Sequence, residues 1–405
     1  MRIGEVPLTP PSSPEARRRA WAVAFAGFCA FLALYLTQPI LPMLGQIFHA
    51  GKAAVSMTLT AATLGVALSA PLVGSVADTF GRKRVIVWSA SLLALATLLN
   101  GTATTFGELI FWRFLQGVFT PGVFAVTVAY VQEEWAGAGV GRAMALYVTG
   151  TVVGGFTGRM ISAIIVSRWN WHWSFVVIGA MGAAGAVALQ VLMPREKRFT
   201  GKLQGASLVA GMGVHFRNPR LLATFFAGFG VLFSLIATFS YVTFYLADPP
   251  FNLGPLALGS LYCTYLIGAA VTPSCGKVID RYGHRAAVAL AMGMGAAGML
   301  LTLIHSLWAV GAGLAFCCTG VFVAQATATS YIGLAAVRGK ALAVGIYVTF
   351  YYMGGSAGAE LPGFLWHWGG WPACVGLVIL VQVLTVILAL LCWAPAPSRQ
   401  APALG

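Results

Sequence analysis

The sequence predicts an all-α integral membrane protein with twelve transmembrane helices arranged as two pseudo-symmetric six-helix bundles. Three observations predict it. Of 405 residues, 59% are hydrophobic and only 8% are charged, with a mean hydropathy of +0.84, whereas soluble domains are roughly half apolar. Apolar runs of about 20 residues, the length that crosses a bilayer, can be marked out twelve times. Finally, the stretch GSVADTFGRKR from Gly74 to Arg84 returns as GKVIDRYGHR from Gly276 to Arg285. Gly74, Asp78 and Gly81 map onto Gly276, Asp280 and Gly283 at one constant offset of 202.

The runs cover residues 20–46, 53–77, 83–104, 107–131, 141–166, 172–193, 219–247, 255–277, 285–305, 307–335, 341–365 and 371–394. Residues 1–19 form a polar, proline-rich and basic tail without a signal-peptide cleavage pattern, and 395–405 form a second tail. The longest polar interruption, residues 194–218, separates a first half (20–193) from a second (219–394). The net charge of +14 comes from 24 basic and 10 acidic residues. Nucleic-acid binding would gather such charge on one face beside accessible aromatics; here it sits in short clusters between apolar runs, so no nucleic-acid partner is expected. With the N-terminus placed inside, 20 of the 24 basic residues fall on the inner side, as the positive-inside rule requires. Both termini are therefore expected in the cytoplasm. Lys52 and Arg168 fall outside, and Arg113 and Arg159 lie within spans. The seven cysteines lie in or beside apolar runs with no metal-ligand spacing, and neither a phosphate loop nor a nucleophile elbow is present. The chain is thus expected to be neither an enzyme nor an ATP-driven pump, and to need no cofactor or metal.

Further fragments repeat in the same register. FAGF at Phe25–Phe28 returns at Phe226–Phe229, GVF at Gly117–Phe119 returns at Gly320–Phe322, and YVT with its later glycines at Tyr147–Gly158 returns at Tyr347–Gly358. The halves are copies of one scaffold.

In chain order, the first span carries YLTQPILP at Tyr35–Pro42, whose prolines Pro39 and Pro42 should bend it. The second ends in the duplicated loop motif. The fourth carries RFLQG at Arg113–Gly117. Burying Arg113 costs on the order of 3 kcal/mol unless it faces a partner or a wet cavity. It therefore binds a ligand or partner, or it snorkels to the interface, and Gln116 lies one turn away. The matching position in the second half is Phe316. The fifth span reads GTVVGGFTGR, with Gly150, Gly154 and Gly158 on one smooth face beside Gly155, and ends in Arg159. In the eleventh, Glu360 is the deepest carboxylate outside the loops, placed almost symmetrically to Arg159. It is a proton carrier, one member of an ion pair, or an exposed group at the outer mouth. Gln38, Tyr241, Thr243, Gln325 and Tyr331 are further polar residues at cavity depth.

These motifs resemble those of the major facilitator superfamily, and specifically its twelve-helix drug:proton antiporter branch, over essentially the whole chain. The resemblance implies that Gly74, Asp78, Gly81 and Arg82, with Gly276, Asp280, Arg281 and Gly283, form cytoplasmic gate motifs. Asp78 would face the start of the eleventh span near Lys340, and Asp280 that of the fifth near Arg142. It also implies proton-coupled export of a small molecule by alternating access, using Arg113, Gln116, Arg159, Glu360, Gln38, Tyr241 and Gln325. Three departures stand out: Thr79 replaces the family's usual arginine, Gly155 replaces a proline in the fifth-span motif, and the first span lacks an acidic residue. Two arginines and one candidate carboxylate within the spans also suit an organic anion or sugar-like metabolite, carried by symport or exchange. A non-transporting sensor or assembly factor on the same scaffold is a third reading. The expected setting is a bacterial-type inner membrane and the expected state a monomer, with substrate, protons and the bilayer as partners.

Overall fold

The computed structural model describes residues 14–134, 138–194, 213–271, 275–336 and 340–394, and every regular element among them is helical. We number the passages α1 to α12. The first is α1, Pro14–Leu32, which resumes beyond a break as Leu41–Ile47. Next come α2 (Lys52–Phe80), α3 (Arg82–Asn100), α4 (Phe106–Glu134), α5 (Ala138–Val166), α6 (Trp171–Leu192) and α7 (Pro219–Ala247). The eighth, α8, is built from Pro255–Ser260, a 3₁₀ turn Leu261–Cys263 and Thr264–Val271. The helix Cys275–Leu301 kinks at Gly283, so its first part ends α8 and residues 284–301 form α9. Then follow α10 (Leu307–Ala335) and the long stretch Lys340–Cys392. Gly369 and Gly370 break that stretch into α11 (340–368) and α12 (371–392). The passages track the apolar runs because in lipid each backbone N–H and C=O must be satisfied within its own helix.

Helix ends follow local chemistry. Thr105 and Glu108 form a capping box at α4: the Glu108 carboxylate accepts the Thr104 and Thr105 amides at 2.7 and 3.2 Å, and the Thr105 hydroxyl oxygen accepts the Glu108 amide at 3.3 Å. Asn218 accepts the Arg220 amide ahead of Pro219, which occupies the first turn of α7. The duplicated loop motif is duplicated in backbone as well, since Gly81 and Gly283 both turn through positive φ (93° and 78°). A side chain would be strained there.

The chain divides into two compact units. One takes residues through Leu36 together with Leu72–Leu203; the other takes Thr37–Pro71 together with the chain from Gln204 onward. In the first unit α5 lies directly on α1. A Cβ at Gly150, Gly154 or Gly158 would collide with the backbone carbonyl of Ala24, Phe28 or Leu32. In the second, Gly354 and Gly358 of α11 lie in the same way on Phe229 and Phe233 of α7. The repeated fragments are thus partners in space, and each copy of FAGF receives its own copy of the glycine face. At Gly155 the Arg159 guanidinium lies 3.1 Å from where a Cβ would stand, and the Phe31 Cβ of α1 lies at 3.8 Å. In the second unit α7 is central, with every residue from Gly230 to Phe244 buried. Large apolar side chains such as Val187 (66% exposed) and Leu391 (73%) face outward, where lipid rather than water would meet them.

Candidate functional site

Among the residues the sequence singles out, the structure forms two polar constellations, one in each unit. The first surrounds the break in α1. The helix stops at Leu32 and resumes only as the 3₁₀ turn Gln38–Ile40, in which Pro39 has no amide hydrogen to offer the preceding turn. That is a full interruption, more than the bend the prolines predict. It strands carbonyls that an intact helix would satisfy four residues on. Arg113 of α4 takes them: Nη1 donates to the Ala33 carbonyl at 3.0 Å, and Nη2 to the Leu34 carbonyl. Nη1 also donates to Gln116 Oε1 at 2.6 Å, and Gln116 passes its own donor to the Thr97 hydroxyl at 2.7 Å. Arg113 and Gln116 are both fully buried, which excludes snorkelling to the interface. The planar guanidinium suits the task, since it offers several donors in a fixed fork.

Arg159 approaches the same break from α5. It is 2% exposed, its Nη1 donates to the Gly155 carbonyl at 2.8 Å, and its guanidinium carbon stands 4.6 Å from the centre of the Tyr35 ring. That is cation–π distance. Both arginines within the spans therefore converge on residues 33–35.

The second constellation lies where Thr37–Pro71 packs within the other unit. Gln38 Nε2 donates to the Ser240 hydroxyl of α7 at 3.2 Å, and the fully buried Tyr241 donates its hydroxyl to the Ala359 carbonyl at 2.8 Å. The next residue is Glu360, half-buried, whose Oε2 meets the Thr60 hydroxyl of α2 at 3.3 Å. A turn away the Thr63 and Ser356 hydroxyls meet at 2.8 Å. Among the described residues no basic group stands within ion-pair distance of Glu360. Closer to the end of the helices, Lys52 Nζ is held by Asp248 Oδ2 at 3.2 Å and lies 4.7 Å from the centre of the Trp366 ring.

The other residues read from the sequence are placed differently. Gln325 is half-buried on α10, and its backbone carbonyl accepts the Thr329 hydroxyl. Thr243 bonds the Ser240 carbonyl, while Tyr331 stacks on Trp393 with ring centres 4.3 Å apart, so both serve local structure. At the basic end, Asp78 pairs with Arg82 at 2.6 Å, and Arg82 reaches Glu133 of α4 through two bonds of 2.7 and 3.1 Å. Gly74 faces open space. Asp280 is exposed, and Arg281 lies over the Tyr282 ring. The surroundings of Gly276 and the Lys340 side chain fall outside the described residues.

Sequence reasoning missed Thr60, Thr63, Ser356 and the Lys52–Asp248–Trp366 group. Hydroxyls in apolar helices usually bond their own preceding turn; only the contact across two helices sets these apart.

A family model described as Major Facilitator Superfamily matches residues 23–336. The inner membrane transport protein YnfM of Escherichia coli (strain K12) is 32% identical over 377 residues, covering 93% of this chain and 90% of that protein. An uncharacterized MFS-type transporter of Bacillus subtilis (strain 168), YybF, is 29% identical over 383 residues, covering 93% and 94%. Among solved structures, the nucleoside transporter NupG aligns with a TM-score of 0.74 at 13% identity, covering 93% of this chain and 99% of that one. The human organic anion transporter MFSD10 (TETRAN) aligns at 0.72 and 18%, covering 93% and 100%. At these identities the two structures speak to the fold.

Proposed function

This chain belongs to the major facilitator superfamily, and we propose on that footing that it exports a small molecule across the inner membrane in exchange for protons, by alternating access. The observation that carries the coupling is Glu360. It is a carboxyl group inside a spanning helix, and among the described residues its polar partner is the Thr60 hydroxyl rather than a cation. A charge so placed is costly and a neutral acid is not, so the group can gain and lose a proton as its access to water changes. Arg113 fixes the α1 break, and Arg159 stands beside it. The basic end, with Arg82 and Arg281, is the cytoplasmic one. Purified protein in liposomes tests the proposal, with the cargo first found by a stabilisation screen of organic acids, sugars and lipophilic cations. Glu360→Gln should lose flux driven by a pH gradient while keeping cargo-for-cargo exchange; unchanged proton dependence would refute it.

A second reading, carriage of an organic anion by symport or exchange, is favoured by Arg159, a buried cation beside a broken helix. If anions alone stabilise the protein, and Arg159→Gln removes that effect, this reading displaces the first.

A further inference from the structure

Thr37–Pro71 joins the second unit although it is cut from the first two passages, and its ends fall on weak points of the chain. One end is the break after Leu32 and the other is Pro71, a proline inside α2. Within this segment the Thr60 hydroxyl has three oxygens in reach: the Ser56 carbonyl at 3.4 Å, the Ser356 carbonyl at 3.4 Å and Glu360 Oε2 at 3.3 Å. A hydroxyl carries one hydrogen. Two of the three contacts are therefore oxygen against oxygen unless a second hydrogen is supplied, and all three are long for O–H···O bonds, which cluster near about 2.7–2.8 Å. A carboxylate here would share one donor with two carbonyls. A carboxylic acid supplies a second hydrogen: its O–H donates to Thr60 Oγ, the Thr60 hydrogen turns to the Ser56 carbonyl of its own helix, and only the long Ser356 contact is left without one.

The surrounding groups leave that role to Thr60. On α2 the nearest charge is Lys52, eight residues or about 12 Å along the helix and already held by Asp248 and Trp366. On α7, Tyr241 spends its hydroxyl on the Ala359 carbonyl; on α12, Cys374 donates to the Pro362 carbonyl; on α11 itself, His367 is exposed near the helix end.

We propose that Thr60 is a positioning residue that reads the protonation of Glu360, so that Thr37–Pro71 docks on α11 when Glu360 is the neutral acid and loosens when it is not. This rests on the reading of Glu360 as the proton carrier. On release, the Glu360 O–H bond breaks, the proton passes to water, and the carboxylate left behind competes with the Ser56 and Ser356 carbonyls for the single Thr60 hydrogen. Proton loading thereby favours docking of this segment on α11, the order an exchanger needs if protons enter here.

The full chain, with its cysteines replaced and spin labels at Gly51→Cys and Trp368→Cys, tests this in lipid nanodiscs by pulsed electron resonance. Both sites are exposed and lie in the same unit. Between about pH 5 and about pH 9, a range wide enough to include shifted carboxyl groups, the short-distance population should give way to a longer one. Glu360→Gln should hold the short distance throughout. Thr60→Val should shrink the change and move its midpoint to lower pH by about half to one unit, and Thr60→Ser should restore it. A merely structural Thr60 would shift the distances equally at every pH, which would overturn the inference, as would pH-independent distances in the parent. Liposome flux separates the two claims. If flux is proton-driven and lost in Glu360→Gln while Thr60→Val keeps the parent midpoint, this inference falls and the coupling reading stands. If Glu360→Gln retains full proton dependence, both fall.

Discussion

In the first unit α5 meets α1 through Gly154 and Phe28; in the second α11 meets α7 through Gly354 and Phe229. The same glycine touches the same carbonyl in both, 200 and 201 residues apart. One helix further on, the likeness inverts. Cys29 of α1 faces Gly185 of α6, whereas the corresponding pair in α7 and α12 is Gly230 facing Thr385. The bulk has changed sides, as close packing allows, because it fixes the total volume at a contact and not its owner. At Arg113 the likeness ends: its counterpart is Phe316, half exposed, and α7 runs unbroken where α1 is interrupted. The shared contacts build the scaffold, and the unshared ones belong to a helix that was broken in one copy only.

The largest effects should come from the shared contacts. Gly154→Val and Gly354→Val should each cost more than about 4 kcal/mol or prevent folding, since backbone rather than a movable side chain stands in the way. Thermal unfolding in detergent measures this, and near-parent stability in one variant alone would show that the halves do not share the contact. Next is Arg113→Ala, which leaves two stranded carbonyls and Gln116 without their donor and should cost about 3–5 kcal/mol. Arg113→Lys should recover only part, because one ammonium cannot span both carbonyls in the fork geometry. The inverted pair tests coupling directly. Gly185→Thr should cost about 1–3 kcal/mol alone, and adding Cys29→Gly should return about 1 kcal/mol or more, read as the interaction term of a double-mutant cycle. The smallest effect concerns the caps. Glu108→Ala should lose about 1 kcal/mol, while Ala309→Glu should gain about half that. The second places a capping box behind Ser306, which makes no side-chain cap of its own.

The sequence makes the scaffold legible because glycine spacing and apolar length are themselves the physical causes of helix approach and membrane crossing. Gly81 and Gly283 could be paired from the offset alone, and the positive φ at both positions gives that pairing its reason. Arg113 was legible as a residue needing a partner, but not as one bonded to main-chain carbonyls, which carry no residue-specific signature. Thr60 was invisible for a similar reason. A threonine in an apolar helix usually bonds the preceding turn, and only folding brings Glu360 to it across 300 residues.

The α1 break also bears on how the chain enters a membrane. When the first passage leaves the ribosome, its open carbonyls have no donor in the lipid, and the arginine that will satisfy them lies 80 residues downstream. When α4 emerges, its guanidinium has no acceptor there either. Each passage is a poor membrane segment alone and a good one beside the other. The first four passages should therefore leave the insertion machinery as a group, with α1 retained near the translocon until α4 arrives.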